Sequence, residues 1–356
     1  MLGLSLSKRE LAARTLDLTG CGRMLRAWSA WKGLLTLNYH RIGDAGQSPF
    51  DRHLWSATEE DFDRQVAFLA KDFDVIGLSD LDEVLRRKRG RFVLLTFDDG
   101  YRDNYSTAFP ILKSHDVSAT FFIATGFIDQ PRAPWWDEIA WMVRSSSKQS
   151  LAPNRWLSTP VIFDEPDRDQ AIGRVLSIYK GLGPEESDEY LDFVAEVLDT
   201  GRCPTSAAND LWMTWDMLRE MRDQGMTFGG HTVNHPILAN LPSEQQNWEI
   251  GECQRRLVAE LRQPITAFSY PNGKRSSFND FTRAAMMQFG FRQAFTFLGG
   301  YALPGFGDDF ALPRTAVESD INLPLFRATV TVPQFFAWLL FVAAGGSFVV
   351  ADEIGR

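Results

Sequence analysis

The chain has 356 residues, with 37 basic and 46 acidic side chains and a formal net charge of −9 at neutral pH. This acidic balance argues against a nucleic-acid-binding protein, because such proteins rely on a broad basic surface. Charged residues make up 23% and apolar residues 44% of the sequence, as in a globular protein with a sizeable core. The three cysteines are scattered, so the fold does not depend on disulfides: Cys21, Cys203 and Cys253.

The two ends of the sequence differ in character. Residues 1–32 carry charges every few residues and predict a helical lead-in that packs on the domain or touches a partner, rather than an export signal. Residues 335–351 are uncharged and close to the shortest membrane span, but Gly345 and Gly346 interrupt them. This apolar segment is expected to be buried, interfacial or membrane-associated. We therefore expect a cytoplasmic protein whose termini could contact the inner membrane or a polysaccharide-assembly partner.

Apolar runs alternate with helical patterns from residue 33 onward. Buried strands are predicted at 33–39, 92–97, 118–124, 226–229 and 265–270, and helices at 105–114 and 214–223. Thr58 is a good N-cap for a further helix, and Ser243 with Gln246 predicts a capping box for a helix that runs to about residue 261. This alternation indicates an α/β fold with a parallel sheet, and the length favours a barrel. Residues 130–213 break the pattern and predict an insertion with a polar helix near 185–198.

Two adjacent acidic residues, Asp98 and Asp99, end the second predicted strand. The carboxyl ends of parallel strands are where active sites gather in α/β folds. Two neighbouring carboxylates repel each other and cannot both point into one core, which makes the pair a candidate functional site. The alternative is that one caps the next helix while the other is solvated.

Two of the five histidines, His231 and His235, lie four residues apart after another strand. On one helical turn this spacing places both imidazoles on the same side, within reach of one ion. The alternative is one packed and one capping histidine. With a carboxylate from the Asp98–Asp99 pair they would hold a divalent metal, with an open position for water as catalytic zinc requires. The two clusters together predict a metal-dependent hydrolase.

Three motifs in this order and spacing, TFDDG, HTVNHP and FSYPNG, resemble the polysaccharide deacetylases of carbohydrate esterase family four, which share the NodB homology domain. The resemblance covers about residues 34–317. It implies a distorted (β/α) barrel over residues 33–330 with a helical insertion at about 130–213, followed by the apolar segment 331–356. It also implies a divalent metal, most often zinc, held by Asp99, His231 and His235.

The same resemblance implies roles for other motif residues. Asp98 would be the general base that takes a proton from the attacking water. The backbone N–H of Asn272 would hold the developing oxyanion together with the metal, although the third motif taken alone favours an ordinary turn. Tyr270, in the same motif, is assigned to the substrate cleft.

The sequence departs from the common family pattern at the general acid. Many members use a late histidine, but no histidine follows His235 here. His40 ends the first predicted strand, which neighbours the last strand in a barrel, and this arrangement is similar to poly-β-1,6-N-acetylglucosamine deacetylases. His40 is therefore predicted to be the general acid, the alternative being a strand-end hydrogen bonder. His53 and His115 have no motif context and are predicted to be structural or surface residues.

A second departure is Ser269, where many relatives carry an arginine that orients the base. Arg314 is predicted to take that role, the alternative being a surface arginine. In the insertion, the substrate cleft is predicted to include Trp135, Trp136 and Asp137, because indoles stack on sugar faces and a carboxylate accepts sugar hydroxyls; the alternative for the tryptophans is simple core.

These features predict a metal-dependent hydrolase that removes N-acetyl groups from amino sugars of a polysaccharide, an oligosaccharide or a lipid-linked precursor. Two alternatives stay open from sequence. One is an O-acetyl esterase or another amide hydrolase with the same site. The other is a catalytically silent carbohydrate-binding or scaffold protein in polysaccharide assembly.

Overall fold

Strands and helices alternate along the chain in the computed structural model, which describes residues 8–336 apart from 29–30, 47, 88–89, 164–167, 304 and 306. The strands are β1 Gly33–Tyr39, β2 Arg41–Ile42, β3 Trp55–Ala57, β4 Asp74–Ile76, β5 Arg91–Phe97, β6 Thr120–Ile123, β7 Ser150–Leu151, β8 Val161–Ile162, β9 Thr227–Gly230, β10 Ala267–Ser269, β11 Gln293–Phe295 and β12 Thr315–Ala316. The helices are α1 Lys8–Leu18, α2 Cys21–Ala27, α3 Glu59–Asp72, α4 Leu78–Arg86, α5 Phe109–Ser114, α6 Thr125–Asp129, α7 Trp135–Ser145, α8 Asp169–Tyr179, α9 Pro184–Val197, α10 Trp215–Asp223, α11 Ser243–Leu261, α12 Asp280–Gln288 and α13 Leu323–Thr331.

Eight strands form one parallel sheet in the order β11-β10-β9-β6-β5-β1-β12, with β4 also paired to β5. β1 pairs with β5 along its full length. The other edge of β5 is shared between β4 at its start and β6 at its end. Leu312 forms an isolated β-bridge with Phe295 of β11, and three residues later Thr315 of β12 pairs with Leu37 of β1. This short segment therefore connects β11 with β1. The sheet thus curves into the distorted (β/α) barrel that the sequence predicts.

The central strands are buried on both faces, which is why they appear in the sequence as continuous apolar runs. Every residue of β1 is buried, and so is every residue of β5 after Arg91. Helices cover both faces of such a sheet. The bounds predicted for β1 match those observed, and Thr58 caps α3 as predicted by accepting the N–H of Asp61. The predicted capping box on α11 is wrong, because Pro242 precedes the helix and no side chain caps it.

The N-terminal helices α1 and α2 pack against α13. Trp31 Nε1 donates to the Val330 carbonyl at 3.1 Å, and Arg26 Nη1 donates to Thr331 Oγ1 at 3.2 Å. The predicted apolar segment 335–351 lies outside the described residues after Phe336. Within the part of the chain that the structure describes, no helix combines the length and the apolar character that a membrane crossing needs.

The segment 130–213 forms three helices, α7 to α9, and a short antiparallel pair, β7–β8. Its helices share one apolar cluster with side chains of the barrel. Phe127 and Trp212, at the two ends of the segment, stack with ring centroids 4.6 Å apart. This shared core holds the helices against one end of the barrel.

Candidate active site

Ten of the eleven predicted site residues surround one cavity of about 300 Å³ at the carboxyl ends of the barrel strands. They are His40, Asp98, Asp99, Trp135, Trp136, His231, His235, Tyr270, Asn272 and Arg314. Four of them directly follow a strand, namely His40, Asp98, His231 and Tyr270, and Arg314 immediately precedes β12. Parallel strands direct the residues after their carboxyl ends toward a common mouth, so the barrel brings these positions together.

Asp99, His231 and His235 form a cluster that fits a divalent metal ion. Asp99 Oδ1 lies 3.3 Å from His231 Nε2 and 3.5 Å from His235 Nε2. The ligand atoms of the three residues all lie within 4.8 Å of one another. Asp99 Oδ1 is buried and makes no hydrogen bond within the described structure, although a buried charged oxygen ordinarily needs compensation. A cation held among these three groups would compensate the charge of this oxygen. Two imidazoles and one carboxylate are ligands that suit a divalent ion such as zinc.

Both imidazoles present Nε2 to Asp99. His231 Nδ1 lies 2.7 Å from the Ser269 carbonyl. A carbonyl can only accept, so Nδ1 carries a proton, and Nε2 is the atom of this ring that is left to bind a metal. Burial would lower the pKa of His231, but Asp98 and Asp99 outweigh it and raise that pKa. Burial, together with the neighbouring His231, lowers the pKa of His235 to about 3, which keeps this ring neutral. Its ring packs edge-on against Trp136, with centroids 4.4 Å apart.

The two histidines meet across an irregular loop and not along a helical turn. The helical turn predicted from their spacing is wrong. Thr232 and His235 both have left-handed backbones, with φ of 67° and 55°, and the loop follows directly after β9. The imidazole centroids are nevertheless 4.7 Å apart, because the two left-handed residues turn the chain back on itself.

Glu249 of α11, which the sequence reasoning missed, holds this loop in place. Its carboxylate accepts the N–H groups of Val233 at 2.8 Å and Asn234 at 2.9 Å, and the Asn234 side-chain amide at 2.8 Å. On the other side the Gly126 N–H donates to the Val233 carbonyl, and a Cβ at Gly126 would lie 2.7 Å from that oxygen. One feature of the sequence could have indicated this role: Glu249 is an acidic residue on the buried face of α11, directly before the buried Ile250.

Asp98 forms a buried, two-pronged ion pair with Arg314. Arg314 Nη1 donates to Asp98 Oδ1 at 2.8 Å and Nη2 donates to Oδ2 at 2.7 Å. Ser269 Oγ accepts from Arg314 at 2.8 Å and donates to Asp98 Oδ2 at 3.2 Å. Burial alone would raise the pKa of Asp98, but Arg314 and His231 outweigh it and hold that pKa well below its usual range. Arg314 is 1% exposed, so the alternative of a surface arginine is wrong.

His40 and Asn272 contribute to the same cavity in different ways. The His40 backbone N–H donates to Ser56 Oγ at 3.0 Å and its carbonyl accepts from Asn104 at 2.7 Å. These bonds anchor the backbone, while the imidazole lines the cavity beside Phe297. Asn272 has a left-handed backbone with φ of 61°, and among the described residues no acceptor takes its N–H.

The two tryptophans of α7 line the cavity, but Asp137 does not. Trp135 stacks on Tyr179 with centroids 4.4 Å apart. Asp137 is fully buried and accepts hydrogen bonds from the Asp51 N–H at 3.0 Å and the Tyr101 hydroxyl at 2.9 Å. The prediction that Asp137 accepts sugar hydroxyls is wrong, because core donors already occupy both its oxygens. Tyr101 in turn accepts from Trp136 Nε1 at 2.8 Å, so Asp137 supports the cavity wall through Trp136 and through Asp51.

The buried Asp137 predicts a pH dependence of stability. Burial raises its pKa to about 7, although Arg41 opposes the shift, whereas the unfolded carboxyl ionises near pH ~4. Between these values the folded state binds more protons than the unfolded state, so this group's contribution to stability falls as the pH rises and levels off above about 7. The melting temperature of Asp137→Asn relative to wild type is therefore expected to rise between about pH 4.5 and 7.5. A difference that stays constant across that range would contradict this.

Other residues of the cavity wall had no motif to reveal them. They are Asp51, His53, Lys180, Lys274 and Glu318, together with several apolar side chains. His53, which was predicted to be a structural or surface residue, is exposed and also lines the cavity. His115 lies at the surface, which is one of the two placements predicted for it, and its Nε2 is 2.8 Å from Asp63 Oδ1.

The model of the polysaccharide deacetylase family matches residues 86–148 and 192–294. These segments carry the acidic pair, both histidines and Asn272, and the gap between them falls within the insertion. The chain contains a polysaccharide deacetylase domain. Asp98 and the candidate metal-binding cluster of Asp99, His231 and His235 lie within the matched residues, whereas Arg314 lies outside them.

Known proteins similar to this deacetylase domain include two curated relatives and a solved structure. YxkH of Bacillus subtilis (strain 168), a provisionally named polysaccharide deacetylase, is 22% identical over 67% of this chain and 56% of its own length. The poly-β-1,6-N-acetyl-D-glucosamine N-deacetylase of Staphylococcus aureus (strain MSSA476) is 31% identical over 27% of this chain and 37% of its own. The chain thus spans about half, or less, of these relatives. The Streptococcus pyogenes deacetylase PplD, solved with acetate, shares the fold with a TM-score of 0.54 and 18% identity, over 84% of this chain and 97% of that one.

Proposed function

We propose that the chain is a metal-dependent N-deacetylase acting on N-acetylated amino sugars of a polysaccharide, an oligosaccharide or a lipid-linked precursor. The observation that carries the proposal is one cavity that holds a three-ligand cluster beside an ionised carboxylate. Asp99, His231 and His235 make up the cluster, and Asp98 is the carboxylate. A hydrolase that activates water needs both elements within reach of one acyl group.

The cluster would hold the metal through Asp99 Oδ1 and the Nε2 atoms of the two histidines. When bound, a divalent ion such as zinc supplies Lewis-acid polarisation of the acetamide carbonyl and lowers the pKa of a water molecule. The protein's part is to keep the ligands in place. The Ser269 carbonyl orients the ring of His231, and Glu249 holds the loop that carries His235.

The remaining residues would move protons and stabilise charge. Asp98, kept ionised by Arg314, takes the proton of the attacking water as general base. The unpaired Asn272 N–H is available to donate to the oxyanion that develops on the carbonyl. His40, whose imidazole lines the cavity, would return a proton to the leaving amine as general acid. Each role uses a group already present in the cavity wall.

The walls of the cavity support an amino-sugar substrate. Trp135 and its stacked partner Tyr179 offer an aromatic surface of the kind on which sugar faces pack. The staphylococcal relative is named for a β-1,6-linked N-acetylglucosamine polymer, and we extend the amino-sugar part of that specificity to this chain.

Metal content tests the proposal directly. After zinc loading and desalting, wild type is expected to retain about one ion per chain and His231→Ala none, because the cluster loses one of its three ligands. His115→Ala, a surface histidine paired with Asp63, is the matched control and should retain the ion. Acetate release is then measured on paired N- and O-acetylated sugars.

The outcomes separate the candidate functions. Release from the N-acetyl member confirms a deacetylase, and release from the O-acetyl member alone would favour an esterase with the same site. A well-folded wild type that retains no ion would contradict hydrolysis and favour a carbohydrate-binding protein.

A further inference from the structure

Two lysines without a described ion-pair partner line the candidate active site. Lys180 directly follows α8 in the insertion, and Lys274 follows Gly273 at the end of the third motif. Both side chains line the cavity that contains the metal-binding cluster. Folding therefore brings one cation from the insertion and one from the barrel to the same space.

Neither ammonium group is neutralised by a carboxylate. In the part of the chain that the structure describes, every ion pair uses an arginine or a histidine, and none uses a lysine. Lys180 and Lys274 are both exposed side chains of the cavity wall. Partial desolvation there lowers the pKa of Lys180, and the charge of Lys274 lowers it further. Asp51 has the opposite effect and raises the pKa of Lys180. Its carboxylate, however, already accepts a hydrogen bond from the His53 N–H at 3.1 Å.

The lysine pair lies beside the aromatic surface described above. Lys180 Nζ is 6.0 Å from the centre of the Trp135 ring, which stacks on Tyr179. A sugar packed on Trp135 would place a substituent near the two ammonium groups. Two cations that repel each other in one cavity match a substituent with about two negative charges, which is the charge of a phosphate group near neutral pH. Lysine binds such groups as a point charge.

We propose that Lys180 and Lys274 bind a phosphate or diphosphate group attached to the amino sugar. The substrate is then a glycosyl phosphate, carried on a nucleotide or on a lipid, rather than a neutral glycan. This inference rests on the proposed function for its sugar part and names the substrate class within it.

Binding to the metal-free protein tests the lysines separately from the metal. The probes are N-acetylglucosamine 1-phosphate and the neutral methyl glycoside of N-acetylglucosamine, with dissociation constants measured by calorimetry. Wild type is expected to bind the phosphate at least about tenfold more tightly. Lys180→Met/Lys274→Met should lose this preference and keep its affinity for the neutral glycoside. Lys71→Met/Lys148→Met, which removes two exposed lysines outside the cavity, is the matched control and should keep the preference.

Either of two results would overturn the inference: no preference in wild type, or a preference that survives in the cavity variant. A uridine diphosphate conjugate and a short-chain polyprenyl diphosphate conjugate of the same sugar then identify the carrier, and tighter binding of either supports the inference. Acetate release by the metal-loaded enzyme keeps the two proposals distinct. Binding of the phosphate without any release would contradict only the deacetylase function. Equal release from neutral and phosphorylated sugars, with equal affinities, would contradict only the lysine site.

Discussion

Replacing Arg314 by leucine is expected to lower the free energy of unfolding by about 3–5 kcal/mol. The substitution leaves the Asp98 carboxylate, which is 3% exposed, with only the Ser269 hydroxyl as a described hydrogen-bond donor. It also removes a donor from the Thr296 carbonyl. Removing one partner of a buried ion pair is costly because the other charge stays buried without compensation. Urea denaturation at neutral pH measures the change.

Two variants test whether the unpaired carboxylate causes this loss. Arg64→Leu removes an exposed arginine paired with Asp61 on α3 and should change stability by less than about 1 kcal/mol. The double variant Arg314→Leu/Asp98→Leu should recover part of the stability lost in Arg314→Leu, because the buried charge is gone. Equal losses in Arg314→Leu and Arg64→Leu would show that the buried pair contributes no more than a surface pair.

Replacing Asp98 by asparagine is expected to lower kcat for acetate release by about a thousandfold, within the range for the loss of a general base. An amide of nearly the same size cannot take a proton from water, but its oxygen can still accept a hydrogen bond from Arg314. Asp98 contributes no atom to the metal-binding cluster, so the variant should retain about one ion per chain after zinc loading. Metal analysis and acetate release on the same preparation separate the two effects.

A carboxylate outside the cavity provides the control for this prediction. Asp129 is also paired with an arginine, Arg256, whose Nε lies 2.8 Å from Oδ2, but it does not line the cavity. Asp129→Asn should keep acetate release within a few-fold of wild type. If Asp98→Asn stays fully active, Asp98 is not the base. If it loses the ion along with activity, its role is in holding the metal.

Several elements of this protein follow from local sequence alone. The strand β1 is a continuous apolar run that can only be buried on both faces, and its predicted bounds are those observed. Thr58 begins α3 because its hydroxyl satisfies a free N–H of the first turn. The motif residues Asp98, Asp99 and His231 follow strands, and a parallel barrel directs such positions to one mouth. The grouping of the acidic pair with the two histidines was therefore predictable.

Other features depend on contacts between distant segments, which no local pattern reports. The loop carrying His235 is left-handed at two residues because Glu249 and Gly126 hold it from either side. Asp137 directly follows two cavity tryptophans in the sequence, yet its side chain points into the core. There its carboxylate accepts hydrogen bonds from the Asp51 N–H and the Tyr101 hydroxyl.

Short-range signals were enough to predict the parallel α/β barrel and the residue types of the candidate metal-binding cluster, because strand periodicity, helix capping and the three motifs each involve residues close together in the chain. The choice between Arg314 as the partner of Asp98 and Arg314 as a surface residue depended on the packing of distant elements, and so did the presence of Lys180 and Lys274 in one cavity. Each of these depends on the distance between side chains from separate elements. That distance is set by how the insertion and the last strand pack on the barrel, and not by the residues next to them in the chain.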